Sequence, residues 1–375
     1  MKIKYLLTLF LALALTLTAC SKKGDTVRIG LAAVQTGTDG QFGSKMLQGS
    51  QIAIDEWNAR GGVAGKKIES ISRDDEGKPN QAVAVAHELV ARKVIAIIGH
   101  FNSGCTLPSS TIYAQGGILQ ITPGSSNPQV TEQGIPTVFR TCGRDDQQGP
   151  VMAEFAYHKL GKRKVTVLHN KTTYGQGFAE EFKKRFEALG GTVTSFTGIS
   201  AEELDFRANV EVIKKEGAEA IFWGGMYSQA GPLYNQMRQA GLDLAFLSGD
   251  GTYEQEFLNT VGPQARNIYL TFGSDYQSQP EAKAFLDKYR ARYGQEGPYS
   301  IYGYESANIL LQALEKIVNQ SGWDSVNGAL LAKTLHEGSF NTTMGTLEFD
   351  SKGDLKKVNY IIWTSQAGKF VPLKD

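Results

Sequence analysis

Val94-Ile95-Ala96-Ile97-Ile98-Gly99 is a near-continuous apolar run that ends in glycine. A strand wet on one face alternates apolar with polar residues, whereas a strand covered on both faces reads apolar throughout. The run therefore predicts a parallel strand with helices on either side. Immediately upstream, Pro79 opens a predicted helix through Arg92, proline being preorganised for a first helical turn. Further back, Lys67 to Ser72 reads as a strand, and Met46 to Arg60 as a helix with apolar Leu47, Ile54 and Trp57, stopped by Gly61-Gly62. Val27 to Val34 reads as a buried strand before it, and Ile118 to Ile121 repeats the apolar run downstream.

The same rhythm restarts at Lys164-Val165-Thr166-Val167-Leu168. It continues through predicted helices at 177–189, 206–215 and 229–240, and predicted strands at 191–196, 220–223 and 245–247. Strand–helix alternation at this pitch specifies βαβ units and a doubly wound parallel sheet. Two such series, parted around Arg140 to Pro150, predict an α/β protein of two Rossmann-like lobes. The last third breaks the pattern, with helices at 281–293, 301–318 and 326–336. After them come β-like stretches at 345–349 and 358–363 around the turn Asp350-Ser351-Lys352-Gly353-Asp354. A segment that must pack on both lobes implies several crossovers, as in a hinged pair.

At the N-terminus Lys2 and Lys4 precede an apolar run from Tyr5 to Leu17, which ends in Leu17-Thr18-Ala19-Cys20. A basic start, a short apolar stretch and small residues before a cleavage point make a secretory signal peptide, residues 1–19. A cysteine directly after Leu-Thr-Ala matches the bacterial lipoprotein box. It predicts lipidation at Cys20, residues 20–25 as a polar tether, and a protein anchored to a membrane in the periplasm or at the cell surface.

The remaining length is too great for one ordinary core, so two domains are expected. The formal net charge is +1, and no basic run exceeds Lys162-Arg163-Lys164, which argues against a nucleic-acid partner. Beyond Cys20 only Cys105 and Cys142 remain, either as one bridge or as two free thiols.

In open α/β sheets the ligand sits beyond the carboxyl ends of the strands. The loops there are Gln35 to Gly43, Gly99 to Thr106 and Thr122 to Pro128 in the first series. In the second they are His169 to Gly175, Gly224 to Tyr227 and Ser248 to Gly251. Ser103, Thr106, Ser125 and Ser126 lie where hydroxyls and helix N-termini hold a carboxylate, although the same residue types also cap helices and fill turns. Asp250, between glycines after an apolar strand, suits an ammonium group or a plain turn. Enzyme signatures are missing: Gly37, Gly40 and Gly43 lack the dinucleotide spacing, Gly61 to Lys67 lacks the phosphate-loop pattern, and no nucleophile elbow occurs. The five histidines are scattered, and His100 reads as a structural loop residue. No catalysis, metal or cofactor is expected.

Several stretches in this order resemble the Leu/Ile/Val-type periplasmic binding proteins of ABC importers, the type I clamshell family. They are Asn58 to Gly65, Asp74-Asp75 with Asn80 to Ala86, Ile98-Gly99-His100, Ile121-Thr122-Pro123, Arg140-Thr141, Gln148-Gly149-Pro150, Met344-Gly345, Phe349-Asp350 and Gly353-Asp354. The resemblance runs from about Thr26 onward. It implies lobes of 26–143 with 275–353 and of 144–274 with 354–375, joined by a three-strand hinge and closing on an amino acid, branched-chain or similarly apolar. It further implies that Ser103 and Ser126 bind the ligand carboxylate and that the Gly124 carbonyl and Asp250 bind its ammonium. Ser125 lies in the same loop, Tyr174 is a second-lobe aromatic contact, and Asp145 is an acidic group near the hinge. Phe42 and Met226 stand where tyrosines are usual, and Gly77 and Asn102 occupy the positions of the family's first-lobe disulfide. The partners implied are an amino acid and a membrane ABC permease, the carrier acting as a monomer. A ligand sensor for amino acids or amides, feeding a signalling partner, is the alternative use of such a clamshell.

Overall fold

A computed structural model describes residues 26–374. The signal-peptide, Cys20 and tether expectations lie outside the described residues. Among those residues no helix is long and apolar enough to cross a membrane.

Strands β1 (Val27–Ala33), β2 (Ile68–Asp74), β3 (Ala96–Gly99), β4 (Leu119–Thr122) and β5 (Val138–Arg140) form one parallel sheet in the order β2-β1-β3-β4-β5. The second sheet contains β6 (Lys164–His169), β7 (Thr192–Gly198), β8 (Ala220–Gly224), β9 (Ala245–Ser248) and β10 (Ile268–Gly273). Its parallel part runs β7-β6-β8-β9-β10, the same winding as the first sheet. After the small hairpin β11 (Phe340–Thr342) and β12 (Gly345–Leu347), strands β13 (Tyr360–Gln366) and β14 (Lys369–Pro372) extend the sheet antiparallel beyond β10. The apolar run at 94–99 is buried on both faces, with Ala96, Ile97 and Ile98 fully inside.

The elements depart from the sequence expectation in several places. The first helix begins at Gly40, six residues before the predicted Met46, so Phe42 is helical. Strands β5, β10, β11 and β14 have no counterpart in that expectation. Each is brief or irregular in pattern and is fixed by its neighbours instead of by alternation. Cys105 and Cys142 are separate, buried, free thiols.

The helix Ser300–Ser321 packs along Gly40–Ala59 backbone to backbone. A Cβ on Gly49 would lie 1.9 Å from the Ser300 carbonyl, and one on Gly303 would lie 2.0 Å from that of Met46. Only glycine permits such an approach. It anchors the start of the later helix, and with it Tyr299, over the mouth of the first sheet.

Three stretches of chain pass between the sheets together. Residues 141–143, 272–276 and 355–360 surround a void of only about 20 Å³. Gly143 lies against the Tyr360 ring, where a Cβ would meet the phenol oxygen at 2.4 Å.

Candidate functional site

Strand ends and helix starts of both sheets converge on a cleft of about 750 Å³ between the lobes. The helices Gly40–Ala59, Ser103–Gln115, Thr173–Ala188 and Tyr227–Gln239 all begin there. Their first N–H groups have no partner inside the helix, and their dipoles place partial positive charge at the cleft.

The first-lobe wall consists of Ser103, Gly104, Gly124, Phe101 and Asn102, with Val34 and Thr36 to Asp39 beside them. The Ser103 hydroxyl accepts the Asn127 N–H at 3.3 Å, which leaves its own proton to donate. Gly124 presses on the Phe101 ring, where a Cβ would come within 2.5 Å. Behind the wall, Arg140 is fully buried and uses every donor it has. It bonds Asp354 at 2.5 Å, the Ser125 and Asn127 carbonyls at 3.0 Å each, the Pro128 carbonyl at 3.4 Å and the Thr131 hydroxyl at 2.6 Å. The Gly124 carbonyl stays outside this set, and Gly124 itself lines the cleft.

A second buried network supports the neighbouring loops. His100 bonds Asp75 through Nδ1 at 2.5 Å and the Tyr113 hydroxyl through Nε2 at 3.0 Å, and Asp75 also accepts the Gly77 N–H. The His100 carbonyl receives the Thr122 hydroxyl at 2.6 Å. His100 therefore joins the 75–78 and 100–104 loops at the place where Gly77 and Asn102 stand together. It is enclosed, away from the cleft, as expected of a structural histidine.

The second-lobe wall is carried by Asp250, in a 3₁₀ turn after β9, with Gly251, Tyr174 and Met226. Tyr174 donates to Asp250 Oδ1 at 2.6 Å, the Gly251 N–H to the same oxygen at 2.9 Å, and Tyr299 to Oδ2 at 2.7 Å. Burial pushes the Asp250 carboxyl up, while these donors hold it toward the charged form. Gln148 adds a further side-chain hydrogen bond to the same carboxyl, so both lobes' elements hold it in place at the cleft.

The cleft thus gathers Ser103, Gly124, Tyr174, Met226 and Asp250 from the expected set. Phe42, Ser125, Ser126 and Asp145 lie behind its surface. Phe42 stacks on Phe101 at 5.0 Å and meets Tyr227 and Tyr299 edge-on, so it supports the wall from within its helix. Ser125 donates to the Phe101 carbonyl at 2.9 Å and pairs with Thr106, which turns its hydroxyl inward. Ser126 and both Asp145 oxygens are buried without hydrogen-bond partners. Burial, and then the charge of Asp250, push Asp145 well above the usual carboxylate range. Tyr299, Asn102 and Asp39 line the cleft without belonging to the expected set. Tyr299 sits far along the chain with no local signal, whereas Asn102 and Asp39 lie in loops that the sequence marks.

Among the described residues, several bonds cross the cleft. Lys45 pairs with Glu254 at 2.8 Å, Tyr227 donates to the Thr38 carbonyl at 2.6 Å, Asn127 to the Thr173 carbonyl at 2.8 Å, and Tyr299 to Asp250. The lobes therefore meet around the cavity. Among the described residues no cluster of three or more acidic, histidine or cysteine side chains is placed to hold a metal.

A family model described as periplasmic binding protein matches residues 26–363. An amino acid binding protein of Pseudomonas aeruginosa is 41% identical over 340 residues, covering 90% of this chain and 89% of that protein. A Leu/Ile/Val-binding protein homolog of Brucella suis is 37% identical over 343 residues, 91% of either chain. Among solved structures, a leucine binding protein from Thermotoga maritima superposes with a TM-score of 0.84 at 28% identity, covering 93% of this chain and 98% of that one. A branched-chain amino acid transporter substrate binding protein from Streptococcus pneumoniae, in complex with isoleucine, gives 0.83 at 27%, covering 93% and 100%.

Proposed function

Since the chain belongs to the periplasmic binding protein family, we propose that it is the substrate-binding component of an ABC importer and captures an amino acid between its lobes. The observation that carries this reading is the opposition of two unlike walls across one cleft. On one side stand the Ser103 hydroxyl, the start of its helix and the Gly124 carbonyl; on the other stands the Asp250 carboxyl. A zwitterion fits that arrangement, its carboxylate on the helix start and its ammonium between Gly124 and Asp250.

The relatives named for leucine, isoleucine and valine support a ligand with an aliphatic stretch of side chain, for which Val34, Phe101 and Met226 form the apolar surface. The protein is a carrier and not an enzyme. Closure is driven by contacts that exist only when both lobes engage the ligand. Lipidation of Cys20 holds the carrier at the membrane beside its permease, supported by the Leu17-Thr18-Ala19-Cys20 box.

Isothermal titration of purified protein, unfolded and refolded to strip any carried ligand, with the twenty amino acids tests the reading. At least one binds in the micromolar range or better; silence across the set refutes it. For the anchor, Cys20→Ser moves the protein from the membrane fraction to the soluble one. An unchanged distribution would remove the lipid from the account.

A further inference from the structure

Asp39 lines the cleft from the first lobe, and its Oδ1 is buried without a hydrogen-bond partner. The ordinary employment for an aspartate at this place is to cap the helix that follows. Asp39 precedes Gly40–Ala59 directly, yet its side chain accepts no N–H of that helix. It sits where the lobes meet, next to the Thr38 carbonyl that receives the Tyr227 hydroxyl. Burial pushes its carboxyl up to about 6, and only the Ser228 hydroxyl from the opposite lobe opposes this. A half-satisfied carboxylate in that setting lacks a donor.

The surroundings say which kind of donor. Among the described residues the cleft wall carries four carboxylates, Asp39, Glu76, Glu202 and Asp250, against two ammonium groups, Lys78 and Lys171. Lys78 is already paired with Glu76 at 2.8 Å. The Asn102 Oδ1, a second lining acceptor, is also buried without a partner. A wall with surplus negative charge and spare acceptors is matched by a ligand with surplus positive charge. The cavity, about 750 Å³, has room beyond a leucine-sized side chain.

We infer that the preferred ligand is a basic amino acid, its aliphatic stem on Val34, Phe101 and Met226 and its side-chain cation on Asp39. The inference rests on the amino-acid reading above and specifies its side chain. It makes Asp39 a specificity-determining residue: Asp250 recognises any α-ammonium, and Asp39 recognises the second charge.

The test compares L-lysine with L-norleucine, which has the same carbon chain without the terminal ammonium, by calorimetry on the refolded protein. L-arginine and L-leucine extend the series. Lysine or arginine binds at least tenfold more tightly than norleucine and leucine, and Asp39→Asn closes most of that gap while leaving norleucine affinity within about threefold. Norleucine or leucine binding as tightly as lysine and arginine overturns the inference and leaves the amino-acid reading standing. Lysine preferred equally by wild type and Asp39→Asn overturns the assignment to Asp39. Binding of no amino acid overturns both readings. The wild-type comparison needs no variant, so a poorly folding Asp39→Asn does not prevent a decision.

Discussion

On the first-lobe wall, Arg140 directs all five of its N–H bonds at one loop and its buried partner, and His100 ties two further loops together. On the second-lobe wall, Asp250 is held by Tyr174 and Gly251 from its own lobe and by Tyr299 from the other. The first wall is held mostly from within its own lobe, with Asp354 at the hinge as Arg140's partner. The second is finished only when the lobes come together. Such a division gives the first lobe a preformed wall, while the arrangement of the second depends on the lobes meeting.

Variants that break this contrast differ in what they damage. The largest effect is expected from Arg140→Ala, which leaves Asp354 buried with one cationic partner fewer. Removal of one member of a buried pair destabilises by about 3–5 kcal/mol, read as a lower midpoint in denaturant with or without ligand. A loss below about 1 kcal/mol, the worth of an exposed pair, would mean that the first wall does not depend on Arg140.

Asp250→Asn acts on the other wall. It weakens ligand binding by about 1.5–3 kcal/mol, the range for hydrogen bonds to charged groups, and shifts the ligand-free melting temperature little. Unchanged affinity in calorimetry would take the ammonium away from Asp250.

Asp39 is the exception on the first wall, since it lacks the satisfaction its neighbours have. Its folded-state carboxyl titrates at about 6 against an ordinary 3.8. A raised value means that the ionised form is disfavoured in the fold: the penalty is full above about pH 6 and is relieved as pH falls toward 4. The stability of the wild type relative to Asp39→Asn therefore rises between pH 7 and pH 4. The rise is at most about 2 kcal/mol, because a tenfold change in proton affinity is worth about 1.4 kcal/mol and the side chain is partly exposed. A flat difference in melting temperature over that range would place Asp39 in open water.

Tyr299→Phe removes the bond that completes Asp250 from the opposite lobe and keeps the ring. Its expected cost is the smallest, about 1 kcal/mol of affinity, with the ligand-free stability nearly unchanged. An effect as large as that of Asp250→Asn would show that closure, and not the carboxylate, limits binding.

The fold was legible because its determinants are periodic. Apolar runs such as 94–99 and 164–168, set between amphipathic helices, leave few architectures other than two wound sheets. Ser103, Gly124 and Asp250 were legible as cleft-lining residues because such sheets open their clefts at strand ends. The direction in which neighbouring side chains turn was not. Ser125 and Ser126 share a loop with Gly124, yet their hydroxyls are buried, because the loop is pulled inward by Arg140 and by the 100–101 carbonyls.

By itself, then, the sequence determined the α/β class, the two series of strands, and the loops in which a ligand would be found, since these depend on local periodicity and on the geometry of parallel sheets. Only the tertiary structure decided that Tyr299 reaches Asp250, that Arg140 meets Asp354, and that Asp39 faces the cleft with an oxygen unpartnered. The first two contacts join residues 49 and 214 positions apart. The third is the absence of a local partner, and a polar group's satisfaction depends on everything packed around it.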